Sequence, residues 1–340
     1  MTEAELDYDV VIPTHGRDLA LLGDAVDSVR RQTVPPRSII VVVDGNAAAA
    51  EELRRTRPYL DVVLQEPAAG AGNARQAGVG RTRADWVAFL DDDDLWAGTK
   101  QAVIARYLAE HPDCAGVRTA FWTFTTSDSV VGSVNEYRAE LVGDSVAELE
   151  EAARTSSPQN DMDYLDIEGQ SLAMMLERNR GVIGSTVVRG ALVRGLPQVP
   201  HFPRPGDDHL LLTLVAARTE WHLIRERLLF YRLHPGQDTR SPDPTAARSI
   251  IRSRRTAWQL VGSESSRPLR DYGQTYRREF RRLVWPLLRA GALGEYARAC
   301  RETWGLLPRT CDRLLVLVPE PVVWRLTPHR RRARRPETRS

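Results

Sequence analysis

The segment ADWVAFLDDDDLW at 84–96 constrains this chain more than any other. An apolar run of strand character leads directly into four consecutive aspartates. Carboxylates packed at a strand end repel one another and hold their protons more tightly unless a cation neutralises them, and hard divalent metals prefer such oxygen ligands. A metal held there could grip a diphosphate as a Lewis acid and stabilise the charge that builds on a leaving group. The competing reading is a solvated acidic loop in which Asp94 caps a helix beginning at Leu95. The position directly after a hydrophobic strand, within a series of alternating strands and helices, favours the metal reading.

That series starts early. Residues 8–13 and 38–44 are short, β-branched apolar runs ending in turn signals, and 19–32 between them carries Leu22, Ala25, Val26 and Val29 at helical spacing. A strand at 61–65, a helix over 71–82 and a strand at 86–90 continue the alternation, which predicts an α/β fold with an open, mostly parallel sheet and helices on both faces. Such sheets bind ligands at the carboxyl ends of their strands, marked here by Thr14, Asp44 and Asp91. From 118 to 184 the periodicity weakens and polar, acidic stretches predict a variable insertion or lid. A helix is expected over 208–218, a strand over 227–233, and beyond SPDPT at 241–245 the pattern turns helical, first over 245–261. A second helical face carries Tyr276, Phe280, Leu283, Val284, Leu287 and Leu288, and a third helix ends near Trp304. At roughly 150 residues per domain, 340 residues divide into a ligand-binding half at 1–110, a second half at 111–240 with the insertion, a helical region at 241–328 and a disordered basic tail at 329–340.

Several motifs remain open between two readings. Asp44-Gly45 is by default a turn, but a carboxylate there can also accept a nucleobase N–H. GAGNARQAGVG at 70–80 is neither a dinucleotide fingerprint, since Arg75 stands where the third glycine belongs, nor a P-loop; it leaves a glycine-rich helix entry with Asn73 and Arg75 near its start. RPGDDHLLLTL at 204–214 sets two acids before a helix, where either could cap it or serve as a general base. His234 in LFYRLHPGQ is either a turn residue before Pro235 or a ligand reaching the site. There is no nucleophile elbow and no metalloprotease-type histidine spacing.

Taken in order, VVIPTHGR at 10–17, VVVDG at 41–45, GNARQAG at 72–78, FLDDDD at 89–94, GDDHL at 206–210 and YRLHPG at 231–236 resemble the family 2 glycosyltransferases of GT-A fold. The resemblance covers 7–110 well and 180–240 in patches. It implies an inverting, metal-dependent transfer of one sugar from a nucleotide-diphosphate sugar, a UDP-sugar in the first place, to an acceptor hydroxyl. Thr14, His15, Arg17, Asp44, Asn73, Arg75 and Asp91 would line the nucleotide. Asp91, Asp93 and His234 would hold Mn²⁺ or Mg²⁺, with Asp92 making the DxD register ambiguous by one residue. Asp208 would be the base, with Asp207 standing where the family often has glutamate. The QxxRW motif of processive synthases is missing. A sugar nucleotidyltransferase of similar sheet is the alternative enzyme, although PTHGRD at 13–18 has a single glycine where that class has a Gly-rich loop.

Charge adds a last expectation. Residues 225–340 hold 26 basic and 11 acidic side chains, against 21 and 34 in the rest. The C-terminal part thus suits an anionic surface, and a non-catalytic binder of such surfaces is the third reading. No nucleic-acid module is visible, so no nucleic-acid partner is expected, whereas RRRARR at 330–335 could touch a membrane peripherally. Three cysteines without a CxxC pair and an acidic N-terminus point to the cytoplasm, at most to its inner membrane face. The longest apolar run near the C-terminus, 314–318, is far short of the roughly 20 residues that span a bilayer.

Overall fold

The computed structural model describes residues 5–264, except 130–132, 135–136, 203–205, 236 and 238–243, together with a few isolated positions beyond 290. The helices expected around 276–288 and before Trp304, and the basic tail, lie outside the described residues. Residues 1–242 and 252–266 form one compact unit; 243–251 and 267–340 fall to a second.

The first unit begins with β1 (Tyr8–Thr14), α1 (Leu19–Arg30), β2 (Ser38–Asp44), α2 (Ala47–Thr56), β3 (Asp61–Gln65), α3 (Ala71–Val79) and β4 (Trp86–Phe89). It continues through β5 (Leu95–Trp96), α4 (Lys100–Glu110), β6 (Gly116–Thr125), the short strands β7 (Ser133–Val134), β8 (Tyr137–Arg138) and β9 (Leu141–Val142), and α5 (Val146–Thr155). Then come α6 (Ser171–Glu177), β10 (Thr186–Arg189), α7 (Gly190–Arg194), α8 (Asp207–Ala216), β11 (His222–Arg232) and α9 (Pro244–Val261), whose last residues belong to this unit. The main sheet runs β3-β2-β1-β4-β10-β6-β11-β5, with β9 beside β6. β1 to β4 are mutually parallel and so are β6 and β11; β10, wedged between β4 and β6, runs against both. The open, mostly parallel sheet expected from the alternation is present.

Strand alternation divides the core. Val10, Ile12, Val41, Val43 and Ala88 face one side, with Leu22, Val26 and Val29 of α1, Leu53 of α2 and Ile104 of α4. Val11, Ile40, Val42, Val87 and Phe89 face the other, with Ala74 of α3, Met175 of α6 and Leu210 and Leu214 of α8. This is the period-2 pattern of strands buried on both faces. α3 lies so close to the sheet that a Cβ on Gly78 would come within 2.4 Å of Val11 Cγ1.

Two sequence expectations change, the insertion after 118 and the capping of the helix at 207, and two segments that the sequence left unassigned or open take definite form. AAAAEELRRT, which carries no strong apolar stripe, forms α2. The region read as an insertion opens with β6, a ten-residue strand buried throughout. Its Arg118, Thr119, Thr123 and Thr125 break the apolar pattern in sequence but are all enclosed. Leu95 and Trp96 do not start a helix; they pair with Phe230 and Leu229 as β5, so Asp94 caps nothing. α8 has Gly206 as its N-cap, with φ at +111°, and neither Asp207 nor Asp208 caps it through a side chain.

Lys100, the chain's single lysine, is fully buried with Nζ 4.2 Å from the Trp96 ring centroid and no hydrogen-bond partner among the described residues. Burial pushes its pKa down to about 7. The unfolded chain keeps this proton up to about 10.5, so between these values the unfolded state binds more protons and stability rises with pH. Lys100→Met should therefore stabilise the protein at pH 7, with the advantage over wild type shrinking toward pH 10 in urea titrations. An equal advantage at both pH values would contradict a buried, partly neutral amine.

Candidate functional site

Parallel strands β1, β2 and β4 end on the same edge, and this brings Thr14, Asp44 and the 91–94 cluster together. The four aspartates have four different surroundings. Asp91 Oδ1 accepts from Arg75 Nη2 at 2.5 Å. Asp92 Oδ2 accepts a short bond from the Thr14 hydroxyl, which in turn takes the Gly16 N–H at 2.9 Å. Asp93 Oδ2 meets Nε2 of His234 at 3.1 Å, and both side chains keep about a quarter of their surface exposed. Asp94 is fully buried, with Oδ1 taking the Arg232 N–H at 2.9 Å. Burial, then the neighbouring Asp93, pushes the pKa of Asp92 up to about 7 despite Thr14. The same two causes raise Asp94 well above the usual carboxylate range, and burial raises Asp91 against the pull of Arg75. Burial is the first cause in each case, so these carboxyls hold their protons more tightly than free ones.

Arg75 reaches it from α3. Its guanidinium is buried, and Nη1 donates to Asp207 Oδ2 at 2.5 Å while Nη2 holds Asp91. Burial alone would ease its deprotonation, but Asp91 and Asp207 outweigh that and raise its pKa. One cation thus joins the end of β4 to the first turn of α8, segments more than a hundred residues apart. Close packing makes this possible: a Cβ on Gly72 would sit 2.7 Å from Asp207 Cβ. Asp208, next on α8, lies beyond Arg75's hydrogen bonds. Its Oδ2 accepts from Asn179 Nδ2 at 2.9 Å and its Oδ1 from the His209 N–H at 2.7 Å. Burial, then Asp207, pushes its pKa up to about 6.

The other expected residues are more dispersed. Asp44 is buried and accepts from Gln65 Nε2 (2.6 Å) and the N–H groups of Ala69 (2.7 Å) and Gly70 (2.9 Å), with His15 Nδ1 3.4 Å from Oδ2. Burial works to raise its pKa, but these bonds prevail and lower it. The chain entering α3 therefore offers two N–H groups, those of Ala69 and Gly70, to Asp44. Asn73 turns its amide to the Val199 and Pro200 carbonyls and the Phe202 N–H, where it fixes a loop before α8. Arg17 is exposed ahead of α1. Among the described residues no three histidine, cysteine or acidic side chains converge as a metal cage. Asp93 and His234 offer two donors, while Asp91 is turned to Arg75. Gln65 and Asn179 carried no sequence signal; a third residue missing from the sequence reading is Arg232, whose Nε donates to the Asp93 carbonyl at 2.7 Å. Arg232 lies within YRLHPG, so its place beside the histidine was the available hint.

Residues 9–139 match the family described as Glycosyl transferase family 2. Over those residues the chain is similar to the family 2 glycosyltransferases, a match to a single domain. Thr14, Asp44, Arg75 and the four aspartates of this domain fall within the matched residues. A curated relative, the succinoglycan biosynthesis protein ExoW of Rhizobium meliloti (strain 1021), is 36% identical over 94 residues, which are 26% of this chain and 29% of that protein. Among solved structures, S. aureus TarS 1-349 in complex with UDP-GlcNAc aligns with a TM-score of 0.53 at 13% identity, over 93% of this chain and 83% of that one. At that identity the likeness is one of fold, and the fold is of the GT-A type.

Proposed function

We propose that the protein transfers one sugar from a nucleotide-diphosphate sugar, with a UDP-sugar as donor, to an acceptor hydroxyl with inversion at the anomeric carbon. The observation that carries the proposal is the Arg75 bridge, which puts the strand-end carboxylates and the Asp207-Asp208 pair in one site. The UDP-GlcNAc held by the TarS structure supports a uridine donor. Asp44 Oδ1 is occupied by two in-chain donors and Oδ2 by one, the Gly70 N–H, so the remaining lone pair of Oδ2, at the end of β2 beside His15, would meet a base N–H.

Asp93 and His234 would hold a divalent cation. A single carboxylate and a single imidazole suit an ion that takes its remaining ligands from phosphate oxygens and water, and the imidazole favours Mn²⁺ over Mg²⁺. When bound, the cation neutralises charge on the departing diphosphate. The rest falls to the chain. Asp208, with a pKa near 6, is ionised at neutral pH and accepts the proton of the attacking hydroxyl. The acceptor oxygen forms its bond to the anomeric carbon as the bond to the diphosphate oxygen breaks, and the nucleoside diphosphate leaves with that electron pair. Arg75 holds Asp91 and Asp207 by hydrogen bonds and offsets part of the charge they place beside the base. On charge, the C-terminal part is suited to draw the enzyme to an anionic membrane; among the described residues no helix is long and apolar enough to cross one.

With water in place of the acceptor, Mn²⁺-dependent release of UDP from UDP-glucose or UDP-GlcNAc should exceed release from GDP and dTDP sugars. NMR of the sugar freed from an α-linked donor should show the β-anomer first. An α-anomer appearing first would overturn inversion, and no release from any donor would overturn the transferase reading.

A further inference from the structure

Asp208 depends on a group that no motif marks. Asn179 lies in the loop RNRGV, 178–182, between α6 and β10. Its Oδ1 accepts the Gly181 N–H at 3.2 Å, and its Nδ2 donates to Asp208 Oδ2 at 2.9 Å. The two bonds together fix the amide: a flipped side chain would set its NH₂ against the Gly181 N–H and its oxygen against a carboxylate. The loop is itself pinned. Arg118 of β6, fully buried, donates Nη1 to the Arg180 carbonyl at 2.6 Å and rests on the Trp221 ring at 4.9 Å. Its Nε and Nη2 meet no partner among the described residues, a costly burial for a guanidinium. Trp221 in turn donates its indole N–H to the Leu212 carbonyl of α8 at 3.2 Å, so loop and helix are referenced to the same side chain.

We infer that Asn179 is a positioning residue, which orients the Asp208 carboxylate toward the acceptor and holds it off Arg75; the inference rests on Asp208 being the base. The charged groups facing Asp208 are Asp207 and Asp91, which disfavour its ionised form, and Arg75, which favours it. His209 contributes only its backbone N–H, because its ring is buried against the Met175 carbonyl at 2.6 Å. Without Asn179, the attraction of Arg75 is unopposed on the Oδ2 side, and the carboxylate turns from the acceptor toward a cation that already holds two others.

Asn179→Asp separates positioning from loop support. Aspartate still accepts the Gly181 N–H but places a carboxylate oxygen against Asp208 where the amide donated. Turnover, read as UDP release from UDP-glucose or UDP-GlcNAc with Mn²⁺, should fall about 10²-fold, the scale expected for a misplaced reacting group. The acidic limb of the pH profile should move to higher pH, because the added charge makes Asp208 harder to ionise. Affinity for UDP with Mn²⁺ should stay at the wild-type value, which also shows that the variant is folded. Wild-type turnover and pH profile in Asn179→Asp, beside a dead Asp208→Asn, would overturn the positioning role alone. Reduced turnover with lost UDP affinity and an unmoved profile would make Asn179 a loop support and overturn it too. An active Asp208→Asn would remove the base reading itself, and the inference with it.

Discussion

Asp208→Asn should lower sugar transfer by about 10²- to 10⁴-fold or more while leaving the affinity for UDP nearly unchanged. The replacement is isosteric and removes the capacity to accept a proton. Asp208 touches Asn179 and its own helix, and Arg75's two hydrogen-bonded carboxylates are Asp91 and Asp207. The donor-side groups therefore keep their partners in the variant. Wild-type turnover should fall on the acid side with a midpoint near 6, because burial and Asp207 hold the base at that value and the reaction needs it ionised. A variant that loses UDP affinity instead would place Asp208 among the donor-binding groups. Stopped assays across pH 5 to 8, paired with calorimetry, distinguish the two.

The part of the site that could be read from sequence is local. Thr14 and Asp44 each end a β-branched run and the four aspartates follow an apolar one, and the position of a strand's carboxyl end follows from one short stretch of chain. The Arg75 bridge could not be read, because its two partners stand 16 and 132 positions away and nothing in GNARQAG names either. The same limit hid Asn179, a polar residue in a loop whose meaning depends on α8 packing beside it. β6 was missed for a different reason. A strand buried on both sides has no alternation to detect, and Arg118, Thr119 and Thr123 suggest solvent although each is enclosed. At Asp94 the competing reading, a helix cap, is the one that fails: the two following residues are apolar enough to join the sheet as β5.

In the function we propose, this carboxylate cluster binds a nucleotide diphosphate through a divalent cation. UDP brings further negative charge to a place where Asp92 already has its pKa pushed up to about 7 by burial and by Asp93. Without a cation the diphosphate would face bare carboxylates; a cation there would be held by Asp93 and His234 and would neutralise charge on the diphosphate. The direct measurement is calorimetric titration of UDP into the protein in Mn²⁺ and again in chelator, repeated on Asp93→Asn. Wild type should bind UDP more than about tenfold tighter with Mn²⁺, a difference of at least ~1.4 kcal/mol, and Asp93→Asn should lose most of that difference. Equal affinity with and without the cation would contradict the account.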